Sequence, residues 1–563
     1  MSRPKGTVVA MIMPFLCLVG LAAAVGAGDG IPEPPVAEMI PETLTTDRVD
    51  NYFWLNQKDS PQVMDYLNAE NNYTDAIMAH TQTLQQTLLD EIMERTPQDD
   101  VSVPYLYNNQ YYYRRMEEGK DYPLYCRTLD AGTPITSIED VSAEDEQCID
   151  VNDYAQNGTY YDMATPQYSG NDVAACAVDT EGQGVFNIFF LDMSSGSPSS
   201  DTYPEAIEGV TSPTQVDSRG LVWAEDNQTL FYMKPDPDTT RWYQIWRHTL
   251  GTDPATDVLV YEETDTAWDC FPDKTKSNRF LLIKCLQSLD QIEYQYLDAT
   301  NPTEEFTVFY PRQSDLEVFN GYDIKDAGDF WYIYTNYQAE NFRMMKAPMN
   351  DTTAWTEIVP ARNDTLLVGF DVFVNHLVVF ERLEGLRRIS ILPMDESSEE
   401  EAHYVEFDEA AYAVYPNDNY QFNTTVLRYR YESFSTPNSV FDYDMATREK
   451  TLLKQVEVGG DFSSDNYISE RLFATAIDGS RIPVALVYHK DTDPKNNNPL
   501  LQFGYGATGW SRDALFDLPL LSLLDRGFIY AIANVRGGAL YLYYFYWPSL
   551  AWSVRIESNV PHI

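Results

Sequence analysis

The residues with the spacing of a reaction or cofactor site are Gly504-Tyr-Gly506-Ala-Thr-Gly509, which match the glycine fingerprint of dinucleotide binding after a strand-like run. That fingerprint needs a helix N-terminus directly behind the glycines and an acidic residue about 20 positions on. Here Trp510-Ser511-Arg512-Asp513 continues as loop, so nucleotide binding is set aside and no cofactor is expected. There is no GxSxG nucleophile elbow, HExxH pair, P-loop or EF-hand sequence in the chain. The histidines (His80, His248, His376, His403, His489, His562) are scattered, as packed or surface residues are. The cysteines (Cys17, Cys126, Cys148, Cys176, Cys270, Cys285) lack CxxC spacing, so no metal is expected. With Cys17 removed, an oxidising compartment allows up to two disulfides and one free thiol; burial as ordinary apolar residues is the alternative.

The elements that would carry any site fall into distinct textures. Arg3 and Lys5 precede an apolar run from Val8 to Ala27 that closes in small residues, the pattern of an exported chain's leader at 1–27; an uncleaved anchor is the other reading. Nothing later resembles a membrane span. Asn-x-Thr sequons at Asn72, Asn157, Asn227, Asn350, Asn363 and Asn423 agree with a secretory route but are weak support, since chance supplies several. A formal charge of −49 repels nucleic-acid phosphates and anionic lipid alike, which excludes polyanion-binding classes. It suits basic peptides, or simply a solvated acidic surface.

Within 40–100, Ser60-Pro61 offers an N-cap followed by proline at the first helical position. Apolar residues at Val63, Leu67, Ile77, Leu84, Leu88 and Ile92 then predict one or two helices from Ser60 to about Arg95. From Val101 the chain turns to paired short apolar runs. First members begin at Tyr111, Val173, Leu230, Phe280, Phe330, Leu377 and Val426, with partners at Pro123, Val185, Tyr243, Ile292, Asn341, Leu386 and Ser439. The last five first members lie 50, 50, 47 and 49 residues apart. A period near 50 predicts a seven-bladed β-propeller over 101–460, with a large β-sandwich as the competing reading. Beyond Gly459-Gly460, the runs Val484–His489, Pro499–Gly506 and Phe528–Gly538, with a crossover helix at Leu518–Leu524, predict the opening of an α/β sheet over 461–538.

Together Tyr52–Thr74, Ser102–Arg127, Arg471–Asp491, Leu500–Trp510 and Ser522–Gly538 resemble the oligopeptidase B branch of the prolyl oligopeptidase family, in the right order from about Ile40 to Gly538. The resemblance implies a multidomain chain: N-terminal helices, a seven-bladed propeller that filters substrates by size, and an α/β-hydrolase domain split between the chain ends. It implies a serine peptidase acting on short peptides, with Tyr505 as the oxyanion donor unless its ring packs beneath the loop. It also implies a substrate-binding carboxylate at Asp513. Leu515 departs from the branch's second such carboxylate, which puts an Arg or Lys preference in doubt. The Ser, Asp and His of the triad are absent, and the aromatic-rich run 539–563 has no counterpart in the family. The expectation is therefore a secreted peptidase fragment, incomplete in its hydrolase domain and inactive alone. A noncatalytic secreted propeller that binds peptides or proteins is the alternative.

Overall fold

The computed structural model describes residues 33–538, apart from 45–47, 133, 143, 156–159, 195–205, 211–219, 240, 288–290, 313–320, 396–400 and 507–510. The expected leader at 1–27, the run 539–563, Cys17, Asn157 and His562 lie outside the described residues.

Two helices, Pro61–Met78 and Gln82–Arg95, follow the Pro-rich lead. Ser60 stands at the N-cap with Pro61 behind it, but its hydroxyl makes no capping hydrogen bond. Fixed φ at Pro61 supplies the helical start instead.

Seven antiparallel sheets then follow, each built from consecutive strands. All fourteen runs singled out in the sequence are strands, and each pair forms the second and third strands of one blade, as in Phe280–Gln287 against Gln291–Asp298. Neighbouring blades bury their faces against each other. Leu282, Tyr294 and Phe309 of blade 4 meet Tyr322, Ile324 and the fully buried Trp331 of blade 5. This nearest-neighbour burial is what a repeat array uses in place of one central core.

The ring closes through side chains, because blades 1 and 7 share no strand. Arg428 of blade 7 donates to the Pro104 carbonyl at 2.7 Å, Lys454 meets Asp100, and the Tyr105 and Tyr420 rings lie 4.6 Å apart. Near the axis, Lys276 of blade 4 reaches Asp371 of blade 6 past Lys325 of blade 5, an ion pair between blades that are not neighbours. Lys276 follows the first strand of its blade, Asp269–Lys274, and Lys325 and Asp371 stand on the first strands of theirs. A short helix, Val151–Tyr154, precedes the strands of blade 2.

After the propeller comes a four-stranded sheet in the order Tyr467–Thr475, Arg481–His489, Ile529–Ala533, Leu500–Gly504. Its last two strands are parallel, and helix Leu518–Leu524 lies between them in the chain at the residues expected. Tyr467–Thr475 pairs antiparallel to Arg481–His489, so the sheet is mixed.

Candidate active-site loop

Leu500–Gly504 ends in a loop that carries Tyr505. A β-carbon at Gly506 would stand 2.2 Å from the Arg536 carbonyl oxygen and 2.6 Å from Val535 Cγ2, so only glycine allows the loop to lie on the Val535–Arg536 turn. Tyr505, one residue earlier, is 44% exposed. Among the described residues the next helix is Leu518–Leu524.

Downstream, Arg512 lies over the Phe503 ring at 4.7 Å, and Asp513 is buried. The Asp513 carboxylate accepts from Arg382 Nη1 at 2.5 Å and Nη2 at 3.0 Å, from Arg387 Nε at 2.8 Å and from the Tyr415 hydroxyl at 2.7 Å. Burial alone would raise this carboxyl. Arg382, Arg387 and the tyrosine hydroxyl outweigh it and hold the group below the usual carboxylate range. Burial and the Asp513 charge push the Tyr415 hydroxyl the other way, upward.

Local sequence explains how the two arginines come to face one point. Strands His376–Leu383 and Leu386–Pro393 of blade 6 join through Glu384 and Gly385, both at positive φ, the two-residue turn whose twist matches a hairpin. The register sets Arg382 directly opposite Arg387. Tyr415 comes from the first strand of blade 7, Tyr412–Pro416, and lies under Arg387 and Arg430 at 4.4 and 4.8 Å. Three residues past Asp513, the Phe516 amide donates to Glu432 of blade 7 at 3.2 Å.

Beside Asp513 is a cavity of about 10 Å³, room for a single water, bordered by Arg471, Arg512 and Asn534. The Asn534 Oδ1 atom is buried with no protein partner.

The sequence-predicted residues are thus eight positions apart on one loop, with Tyr505 open and Asp513 enclosed. The arginine and tyrosine partners of Asp513 were not anticipated. They lie 98 to 131 residues away in the chain.

None of the described histidines stands on this loop. His248 is fully buried in blade 3, 2.7 Å from Asp257 and stacked on Phe190, which leaves a substrate no access. The two cysteine-carboxylate groupings with metal-like proximity, around Glu146 and Glu263, are occupied by disulfides Cys126–Cys148 and Cys270–Cys285. Cys176 is a buried free thiol that burial pushes well above its ordinary value.

The described residues form a seven-bladed propeller followed by the first strands and crossover helix of an α/β sheet. Residues 32–456 match the N-terminal beta-propeller domain of prolyl oligopeptidase. Dipeptidyl aminopeptidase BI of Pseudoxanthomonas mexicana is 36% identical over 505 residues, 87% of this chain and 67% of that protein. The structure of oligopeptidase B from Leishmania major superposes with a TM-score of 0.79 at 30% identity, covering 90% of this chain and 72% of that one. Oligopeptidase B from Trypanosoma brucei, solved with covalently bound antipain, gives 0.78 at 26% identity with the same coverage. The chain belongs to the prolyl oligopeptidase family.

Proposed function

We propose that this chain is the propeller and the leading part of the catalytic domain of an exported serine peptidase that cleaves short peptides. The observation that carries the reading is Tyr505, an exposed hydroxyl on a loop pinned by a glycine with no room for a side chain. A donor held at such a point can stabilise the oxyanion of acyl transfer, worth about 10²- to 10³-fold in rate. The peptidases of the family supply the chemical context, and the ring of blades supplies a size filter.

Export is supported by the leader-like first residues and by the two disulfides, which belong to oxidising compartments. Among the described residues, no helix is long and apolar enough to cross a membrane. A charge of −49 favours cationic peptides over polyanions.

A serine hydroxyl without an adjacent base is a weak nucleophile. The 563-residue polypeptide, assayed as such, should therefore neither hydrolyse fluorogenic Arg or Pro peptides nor react with a fluorophosphonate probe. A chimera in which the last third of the Pseudoxanthomonas relative follows Gly538 should do both, and Tyr505→Phe in that chimera should lower kcat about 10²-fold or more. Labelling of the 563-residue chain at one probe per molecule would overturn the proposal. An unchanged kcat for Tyr505→Phe would remove its catalytic premise.

A further inference from the structure

We infer that Asp513 is a positioning residue through which blades 6 and 7 grip the hydrolase segment from Ser511 to Phe516, and not an anionic subsite for a basic substrate side chain. The inference deepens the peptidase reading above and rests on it for the word substrate.

The first argument is capacity. A carboxylate offers about four lone-pair directions. Asp513 already receives four hydrogen bonds, one on Oδ1 from Arg382 and three on Oδ2 from Arg382, Arg387 and Tyr415, so a substrate cation would compete with these for the group.

The second is charge. Two guanidinium groups against one carboxylate leave the cluster net positive, and Arg430 on the Tyr415 ring adds to it. Glu432 lies 3.5 Å from Arg430 and accepts the Phe516 amide, so it balances part of that excess while serving the same loop. Glu384 is turned toward Arg471 and Arg481. An incoming lysine or arginine would have to displace a buried bidentate guanidinium, which a fully exposed cation has no means to match.

The third is register. Like charges directly opposite on neighbouring strands destabilise a hairpin. Arg382 and Arg387 are such a pair, and the anion that relieves them is Asp513. The grip is therefore mutual: the loop is held by the blade, and the blade hairpin is relieved by the loop.

Position along the chain gives this its consequence. Gly506 lies against the Val535–Arg536 turn, and further on Asp513 and Phe516 are held by the propeller. The propeller thereby holds the hydrolase chain at Asp513 and Phe516.

Two variants of the full chain test this. Tyr415→Phe removes one hydroxyl and keeps the ring and both ion pairs, so it should fold. It should speed protease cleavage between residues 484 and 538 about tenfold, and Asp513→Asn should speed it further. The readout specific to substrate is the affinity ratio of two labelled octapeptides that differ only by Arg against norleucine. That ratio should be the same in the wild type and both variants. In the chimera with the relative's last third, Asp513→Asn should lower kcat on both peptides alike.

A ratio that falls tenfold in Asp513→Asn would overturn the inference whatever the protease reports, as would protection of 484–538 unchanged in both variants. If neither peptide binds the wild-type chain, the peptidase reading fails while the protease result still decides the grip.

Discussion

Asp371 ties three blades together, and replacing it has a calculable cost. Its Oδ2 accepts from Lys276 Nζ at 2.8 Å and its Oδ1 from Lys325 Nζ at 3.3 Å. The side chains of Lys276 and Asp371 are each 10% exposed, and the Lys276 ammonium lies 3.3 Å from the centre of the Phe373 ring. Asp371→Asn keeps the shape but removes the anion between two ammonium groups. Removing one partner of a buried pair costs about 3–5 kcal/mol. Lys276→Met leaves Asp371 paired with Lys325 and an apolar stem on Phe373, so its cost should be less than half of that. A pH effect accompanies it. Burial pulls the Lys276 ammonium down to about 8, against the attraction of Asp371, whereas an unfolded lysine titrates near ~10.4. Between those values the unfolded chain holds more protons at this position, so the group makes stability rise with pH across that window. The other two members act elsewhere. Burial opposes the charged form of Lys325, but Asp371, Asp323 and Asp273 outweigh it and raise its value, so its contribution is present below ~10.4 and lost at higher pH. Asp371 is held low by both lysines against its burial, so its contribution is lost in acid. Urea unfolding followed by tryptophan fluorescence at pH 7.5 and 9.5, with wild type and Lys276→Met compared at each pH, isolates the Lys276 contribution. A loss below about 1 kcal/mol for Asp371→Asn, or the same pH slope in wild type and Lys276→Met, would refute the idea that this triad is desolvated.

Gly506→Ala should displace the Tyr505 loop, because the new carbon meets backbone at 2.2 Å; it should accelerate exchange of the Val535–Gly538 amides while the blade amides stay unchanged by hydrogen-exchange mass spectrometry. Made through a eukaryotic secretory pathway, the chain should carry glycans at the exposed Asn72, Asn350, Asn363 and Asn423 but not at Asn227, whose Oδ1 accepts the Gly170 amide at 2.8 Å; peptide mapping after glycosidase treatment checks this. Limited proteolysis of the 563-residue polypeptide should cut first after about Asp461 and leave a resistant body near Val101–Val458, because each blade needs only its neighbours, whereas strand Leu500–Gly504 is paired on one edge alone among the described residues. Early cuts inside the blades, with 484–538 protected, would contradict that order.

What the sequence disclosed follows burial. The second and third strands of each blade are covered on both faces and hydrogen-bonded on both edges, so they read as dense apolar runs, and all seven pairs stood out. Outer strands such as Thr307–Val308 and His403–Tyr404 are two residues long and partly exposed, and they carry no periodic signal. Helix Leu518–Leu524 was legible because a proline near its first turn and a leucine run mark it. Tyr467–Thr475 escaped notice because its burial is mixed along its length, which is how an edge strand of a small sheet looks. The site divides in the same way. Tyr505 was assigned through the resemblance of Leu500–Trp510, a stretch whose Gly506 the structure shows to be required by close approach. The clamp on Asp513 left no such trace: it is assembled from a blade 6 hairpin, a blade 7 strand and the hydrolase loop, and what selects those residues is a three-dimensional charge balance. One local fact did foreshadow it. A hairpin that sets Arg382 opposite Arg387 is unfavourable by itself, and a like-charged cross-strand pair at a two-residue turn is a reason to look for an anion from another part of the chain. The same reasoning explains why Asp513, assigned by resemblance to hold a substrate cation, is found holding its own protein's arginines. A buried carboxylate takes the nearest cations that the fold supplies, and here the fold supplies two.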